Sequence, residues 1–93
     1  MPRLRTHPGE ILREEFSLPL KLSARALATA LDVPANRISD LLRERRDVTA
    51  DTALRLGRYF GMDPQFWLNL QTAHDISKAE TIGDYSAIKP RAA

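Results

Sequence analysis

The 93-residue sequence contains no cysteine. Disulfides, thiol nucleophiles and the common zinc-finger ligand sets are excluded with it. Histidine is nearly as scarce: His7 and His74 stand 67 positions apart, a poor basis for a metal site. They are read as a helix-end residue and a surface residue. No apolar run approaches the roughly 18 residues that a membrane-spanning helix needs. No long apolar stretch of signal-peptide type follows the basic residues at the start, so a cytoplasmic location is expected. Alternating β-branched runs are missing too, which points to an all-α chain. There is no phosphate-cradling glycine loop and no Ser/His/Asp set, and the adjacent Glu14 and Glu15 face different directions on a helix. Neither catalysis nor a cofactor or metal is expected.

What is there fits one small globular domain. Hydrophobic residues make up 43% and charged residues 28%, the ordinary range for a folded protein, and a chain this short supports a single modest core. The net charge of +2 is unevenly spread. Residues 1–58 hold 11 Lys/Arg against 8 Asp/Glu, and residues 59–93 hold 3 against 4. Most of the N-terminal surplus is arginine, whose planar fork suits phosphates and base edges.

Punctuation along the chain marks five helices. Pro8 suits a first helical position, with His7 as a weak cap, Glu10, Glu14 and Glu15 in the early turns, and Pro19 as the end. Ser23 caps a second helix over Ala24–Leu31, whose Leu27, Ala28 and Leu31 share one face. Pro34 cannot continue that helix, because it lacks an amide and clashes with the preceding turn. It can open a third helix, running to about Arg43 or Glu44. Two short helices joined so tightly form a helix-turn-helix, at about residues 24–43. Thr49 caps a fourth helix that Gly61 stops, and Asp63-Pro64 starts a fifth over about 64–80. Residues from about 83 to 93 read as a loose tail.

The third helix carries the chemistry. At ~100° per residue, Ile38, Leu41 and Leu42 fall in one arc. Asn36, Arg37, Ser39, Asp40 and Arg43 then occupy the opposite side. Asn can pair with adenine N6/N7, Arg with guanine O6/N7, and Asp can accept from cytosine N4. Asp40 lies three residues from both Arg37 and Arg43, in position to hold an arginine or to repel phosphate. Around this face, Ser23 and Arg25 begin a helix that in such motifs crosses the DNA backbone. Arg45 and Arg46 follow the third helix as candidate phosphate grips. Phe66-Trp67, at the start of a capped amphipathic helix, reads as core or interface rather than a ligand-stacking site. Four helices already fill such a core, so Trp67, Leu70 and Ala73 are expected to pack against a second copy.

Four ordered blocks resemble a known family: His7-Pro8-Gly9-Glu10-Ile11-Leu12, Ala35-Asn36-Arg37-Ile38-Ser39, Thr49-Ala50-Asp51-Thr52-Ala53-Leu54-Arg55-Leu56 and Phe66-Trp67-Leu68-Asn69-Leu70-Gln71. Together, over about residues 7–80, they look like the HigA-type antitoxins, a branch of the repressor-like (XRE) helix-turn-helix proteins. The resemblance implies a five-helix, usually homodimeric repressor of its own operon, bound to double-stranded DNA at a palindromic operator. It also implies a partner, a HigB-type toxin that cleaves mRNA. Carried onto this chain, it places Asn36, Arg37, Ser39, Asp40 and Arg43 toward DNA. No motif maps the toxin-contacting surface. One departure is Asp32, at a turn position where these motifs usually have glycine; Asp tolerates positive φ at a cost of order 1 kcal/mol. The rival readings are first a stand-alone repressor of the same fold without a toxin and, behind it, a helical protein-interaction adaptor.

Overall fold

The computed structural model describes residues 4–92. α1 (Pro8–Ile11) runs directly into a π-helical segment (Leu12–Ser17), and α2 (Ala24–Leu31), α3 (Ala35–Leu42), α4 (Ala50–Phe60) and α5 (Gln65–Ile82) follow. No strand occurs among the described residues. The all-α, five-helix architecture expected from the sequence is therefore the one found. α5 runs to Ile82, a little beyond the expected limit, and residues 83–92 lie exposed in turns and irregular backbone.

The first helix differs from a plain α-helix. His7 caps it more firmly than its residue type suggests: Nδ1 accepts the Gly9 amide at 2.9 Å, and the ring is buried. From Leu12 the turns widen, and the Leu18 amide reaches back five residues to the Arg13 carbonyl. Leu12 and Ser17 are both buried. Five residues apart in an α-helix, they would diverge by ~140°. The wider turn brings both inward, where the Ser17 hydroxyl donates to the Leu22 carbonyl. Pro19 then has no amide to carry the ladder further.

Gly9 sets how closely this helix approaches α3. A Cβ built on Gly9 would overlap the Leu41 carbonyl oxygen, so no larger residue permits the same contact. Leu12, Leu27, Leu31, Ile38, Leu41, Leu56 and Trp67 fill the centre. Trp67 is the largest wholly buried side chain, with Phe16 and Phe66 rings at 5.3 and 5.1 Å. Its Nε1–H finds no acceptor among the described residues.

Both helices of the helix-turn-helix end in the same way. Asp32 follows α2 in the left-handed region, φ 58° and ψ 50°. The Asp32 amide bonds to the Thr29 carbonyl and the Val33 amide to the Ala28 carbonyl, a Schellman closure normally built on glycine. After α3, Glu44 repeats it at φ 61°, with its amide on Leu41 and the Arg45 amide on Asp40. An arginine from another element supports each closure. Arg55 of α4 donates to the Leu31 and Asp32 carbonyls at 2.8 and 3.2 Å. Arg13 donates to the Leu42 carbonyl and pairs with the Glu44 carboxylate at 3.4 Å. Cations at helix C-termini also match the helix dipole.

Candidate nucleic-acid interface

α3 buries Ile38 and Leu41 and half-buries Leu42 against the core. Its opposite side presents the five polar residues that the helical wheel selected. Asn36 and Arg43 are exposed, while Arg37, Ser39 and Asp40 are half-buried. Ser39 Oγ donates weakly to the Asn36 carbonyl at 3.4 Å, across one turn.

The expected partnership of Asp40 with an arginine is replaced by another. Arg37 Nη1 donates to Asp51 Oδ2 at 2.6 Å, from α3 to the first turn of α4. The same oxygen accepts from Arg55 Nε at 2.9 Å. These bonds, first Arg55 and then Arg37, hold the Asp51 carboxyl below the ordinary carboxylate range. Asp51 and Arg55 stand in one of the family-like blocks of the sequence but were not among the expected site residues. Their i,i+4 spacing was a readable sign of an ion pair on one helix, but nothing in the spacing linked either to Arg37.

The candidate phosphate contacts flank the helix-turn-helix along the chain, at the start of α2 and after α3. Ser23 Oγ caps α2 by accepting the Ala26 amide at 3.0 Å; its hydroxyl proton is left to donate elsewhere. Arg25, Arg45 and Arg46 are exposed. Phosphate oxygens could accept from all four groups, and such contacts carry no base information.

The two histidines, distant in sequence, meet. Their rings lie edge to face at 4.8 Å, and His74 is half-buried with Nδ1 2.8 Å from the Arg5 carbonyl oxygen. Burial and the neighbouring His74 push the His7 pKa down, against opposing pulls from Glu44, Asp47 and Asp75. Among the described residues, no group of three or more His, Cys, Asp or Glu side chains could hold a metal ion. No helix there is long and apolar enough to cross a membrane.

Comparison with known proteins agrees with this geometry. A family model described as Helix-turn-helix matches residues 12–67. Virulence-associated protein I of Dichelobacter nodosus is 64% identical over 74 residues, 80% of this chain and 68% of that protein. An addiction module antidote protein of a HigA family from Coxiella burnetii superposes with a TM-score of 0.84 at 45% identity, over 96% of this chain and all of that one. The Pseudomonas aeruginosa antitoxin HigA, solved with the higBA promoter, gives a TM-score of 0.84 at 43% identity, covering 97% and 98%. The chain belongs to the HigA-type branch of the helix-turn-helix family.

In this HigA-type chain the family match stops at Trp67, so nearly all of α5 lies beyond it. There one expectation is corrected. Trp67 was assigned to contact with a second copy, yet it is wholly buried inside its own chain. The physical reason is that α5 turns this side toward α1 and α4, where the Trp67 ring packs beside Phe16 in the shared core and its apolar surface is already covered. Gln71 lies on the same buried side; its Oε1 accepts the Val48 amide at 2.7 Å. Leu70 is half-buried and Ala73 exposed. At ~100° per residue, these two fall on an adjoining flank with Phe66 and Ile76, which are 40% and 56% exposed. The outward apolar flank of α5 is therefore Phe66, Leu70, Ala73 and Ile76.

Proposed function

We propose that this chain is an antitoxin that binds operator DNA through α3, represses its own operon and neutralises a HigB-type mRNA-cleaving toxin. One observation carries the reading: α3 turns Asn36, Arg37 and Arg43 away from a face anchored by Ile38 and Leu41, in a chain of HigA type. The Pseudomonas aeruginosa relative was solved with its promoter, which supports the same role here. Asn36, Arg37, Ser39, Asp40 and Arg43 read base edges, and Ser23, Arg25, Arg45 and Arg46 fix the register on phosphates. Two copies joined along the α5 flank of Leu70 and Ala73 would set two α3 helices about 34 Å apart, the spacing of successive major grooves in a palindromic site. The reading assigns the chain binding and no catalysis.

A gel shift with duplex from the chain's own promoter tests the DNA half. Asn36→Ala and Arg43→Ala should each cost roughly 1–3 kcal/mol of operator binding and relax sequence preference. Footprints identical to the parent would remove α3 from the interface. Co-purification with the product of the adjacent reading frame tests the toxin half. A chain that shifts DNA but captures no small basic partner is a stand-alone repressor.

A further inference from the structure

Arg37 is the recognition-helix side chain whose fork is already engaged. Its Nη1 donates to Asp51 Oδ2 at 2.6 Å, and only 29% of the side chain is exposed. Asp51 is itself held. Arg55 Nε donates to the same oxygen at 2.9 Å, while Arg55 Nη1 donates to the Leu31 and Asp32 carbonyls. A run of charge-assisted hydrogen bonds thus connects the turn after α2, through α4, to a side chain of α3. Such bonds are shorter and stronger than neutral ones and restrict the orientation of the groups they join.

A guanidinium carries its N–H donors in a rigid fork. Asp51 occupies one position on Nη1 and leaves the remaining donors to a ligand. An arginine with no such restraint, on a helix facing DNA, can reach either a base edge or the nearest phosphate, and the phosphate contact is blind to sequence. A carboxylate beside it repels phosphate and disfavours that arrangement. With Nη1 tethered, the remaining fork suits the paired acceptors O6 and N7 of a guanine. The Asp51 carboxylate is ionised at neutral pH, as an exposed aspartate is, and its two arginine partners favour that charged form further.

We propose that Asp51 is a specificity-determining positioning residue, which from α4 aims the Arg37 guanidinium at a guanine edge and away from the phosphate backbone. The proposal rests on reading α3 as the base-facing helix. Asp51 itself touches no base in this scheme; it acts through Arg37.

The experiment compares the full chain with Asp51→Asn, Arg37→Ala and the double variant. Fluorescence anisotropy measures binding to the chain's own promoter duplex and to a scrambled duplex of equal length, across a salt series. Asp51 is exposed in the first turn of α4, and thermal melts verify that each variant is folded. Asp51→Asn should reduce the preference for promoter over scrambled duplex by about tenfold, the scale of one bidentate base contact. Binding to the scrambled duplex should hold or tighten, with the salt slope steeper by about one phosphate contact as Arg37 is released. In the Arg37→Ala background, Asp51→Asn should change the preference no further, because the two residues act as one unit. If Asp51→Asn alters both duplexes by the same factor, the carboxylate contributes only bulk charge and the proposal fails. An unchanged preference overturns it as well. If Arg37→Ala itself leaves the preference intact, the assignment of Arg37 to base reading fails, and the role of Asp51 fails with it.

Discussion

His7 makes the stability of this fold depend on pH in a window where carboxylates are silent. Its Nδ1 accepts the Gly9 amide at 2.9 Å, so the folded ring carries its proton on Nε2, which lies 4.0 Å from Asp47 Oδ1. Protonation converts Nδ1 into a donor facing another donor, and the cap is lost. An N-cap contributes about 0.5–2 kcal/mol. Burial and the neighbouring ring of His74 also disfavour the cation, so the folded pKa lies below the ordinary histidine value of 6.5. The unfolded chain then takes up the proton first as pH falls. Stability is at its full value above pH 6.5 and declines below it, with a slope of at most about 1.4 kcal/mol per pH unit, until the folded pKa is reached. Urea melts at pH 7.5, 6.5, 5.5 and 5.0 measure this decline. His7→Asn keeps an N-cap side chain without a titrating ring, and should flatten the decline between pH 6.5 and 5.5 whatever it does to stability at pH 7.5. His74→Gln should shallow the slope by removing a neighbour that opposes the charge. The same slope in His7→Asn as in the parent would show that another group titrates and refute the argument.

Two further outcomes follow from the backbone. Gly9→Ala drives a methyl group into the Leu41 carbonyl; separating α1 from α3 should cost about 1–3 kcal/mol, seen as a lower urea midpoint with unchanged m-value, and an unaffected midpoint would mean that the helices separate freely. Asp32→Gly should stabilise by up to about 1 kcal/mol, since glycine takes the left-handed region without strain, while Asp32→Val should destabilise; thermal melts of the two variants decide it, and a loss on Asp32→Gly would show that the aspartate side chain adds a contact of its own.

The helices were readable because their punctuation is local. Ser23 and Thr49 accept from amides three residues ahead, and Asp63 Oδ1 accepts from Gln65 in the first turn of α5. Gly61 closes α4 at φ 65°. Asp32 adopts the positive φ that the tight turn demanded. The wheel of α3 was readable for a similar reason, since Ile38 and Leu41 can reach the core only by turning Asn36 and Arg43 outward. The π-helical turns from Leu12 to Ser17 were not readable. Apolar spacing alone does not distinguish a widened turn from an α-helix until the position of Leu22, which accepts the Ser17 hydroxyl, is known. The same holds for Trp67, whose residue type suits a core and an interface equally.

Residue order by itself determined where the helices start, the sharp turn before α3 and the polar composition of its outer face. Caps, glycine and proline act through bonds within a few residues, and helical periodicity assigns each side chain a direction. Only the tertiary structure decided which distant groups meet: His7 with His74, Gln71 with the Val48 amide, and Arg37 with Asp51 and Arg55. Those pairings depend on how far the helices pack and at what angle. That is set by the filling of one shared core, around Trp67 and beneath Gly9, and no short stretch of chain encodes it.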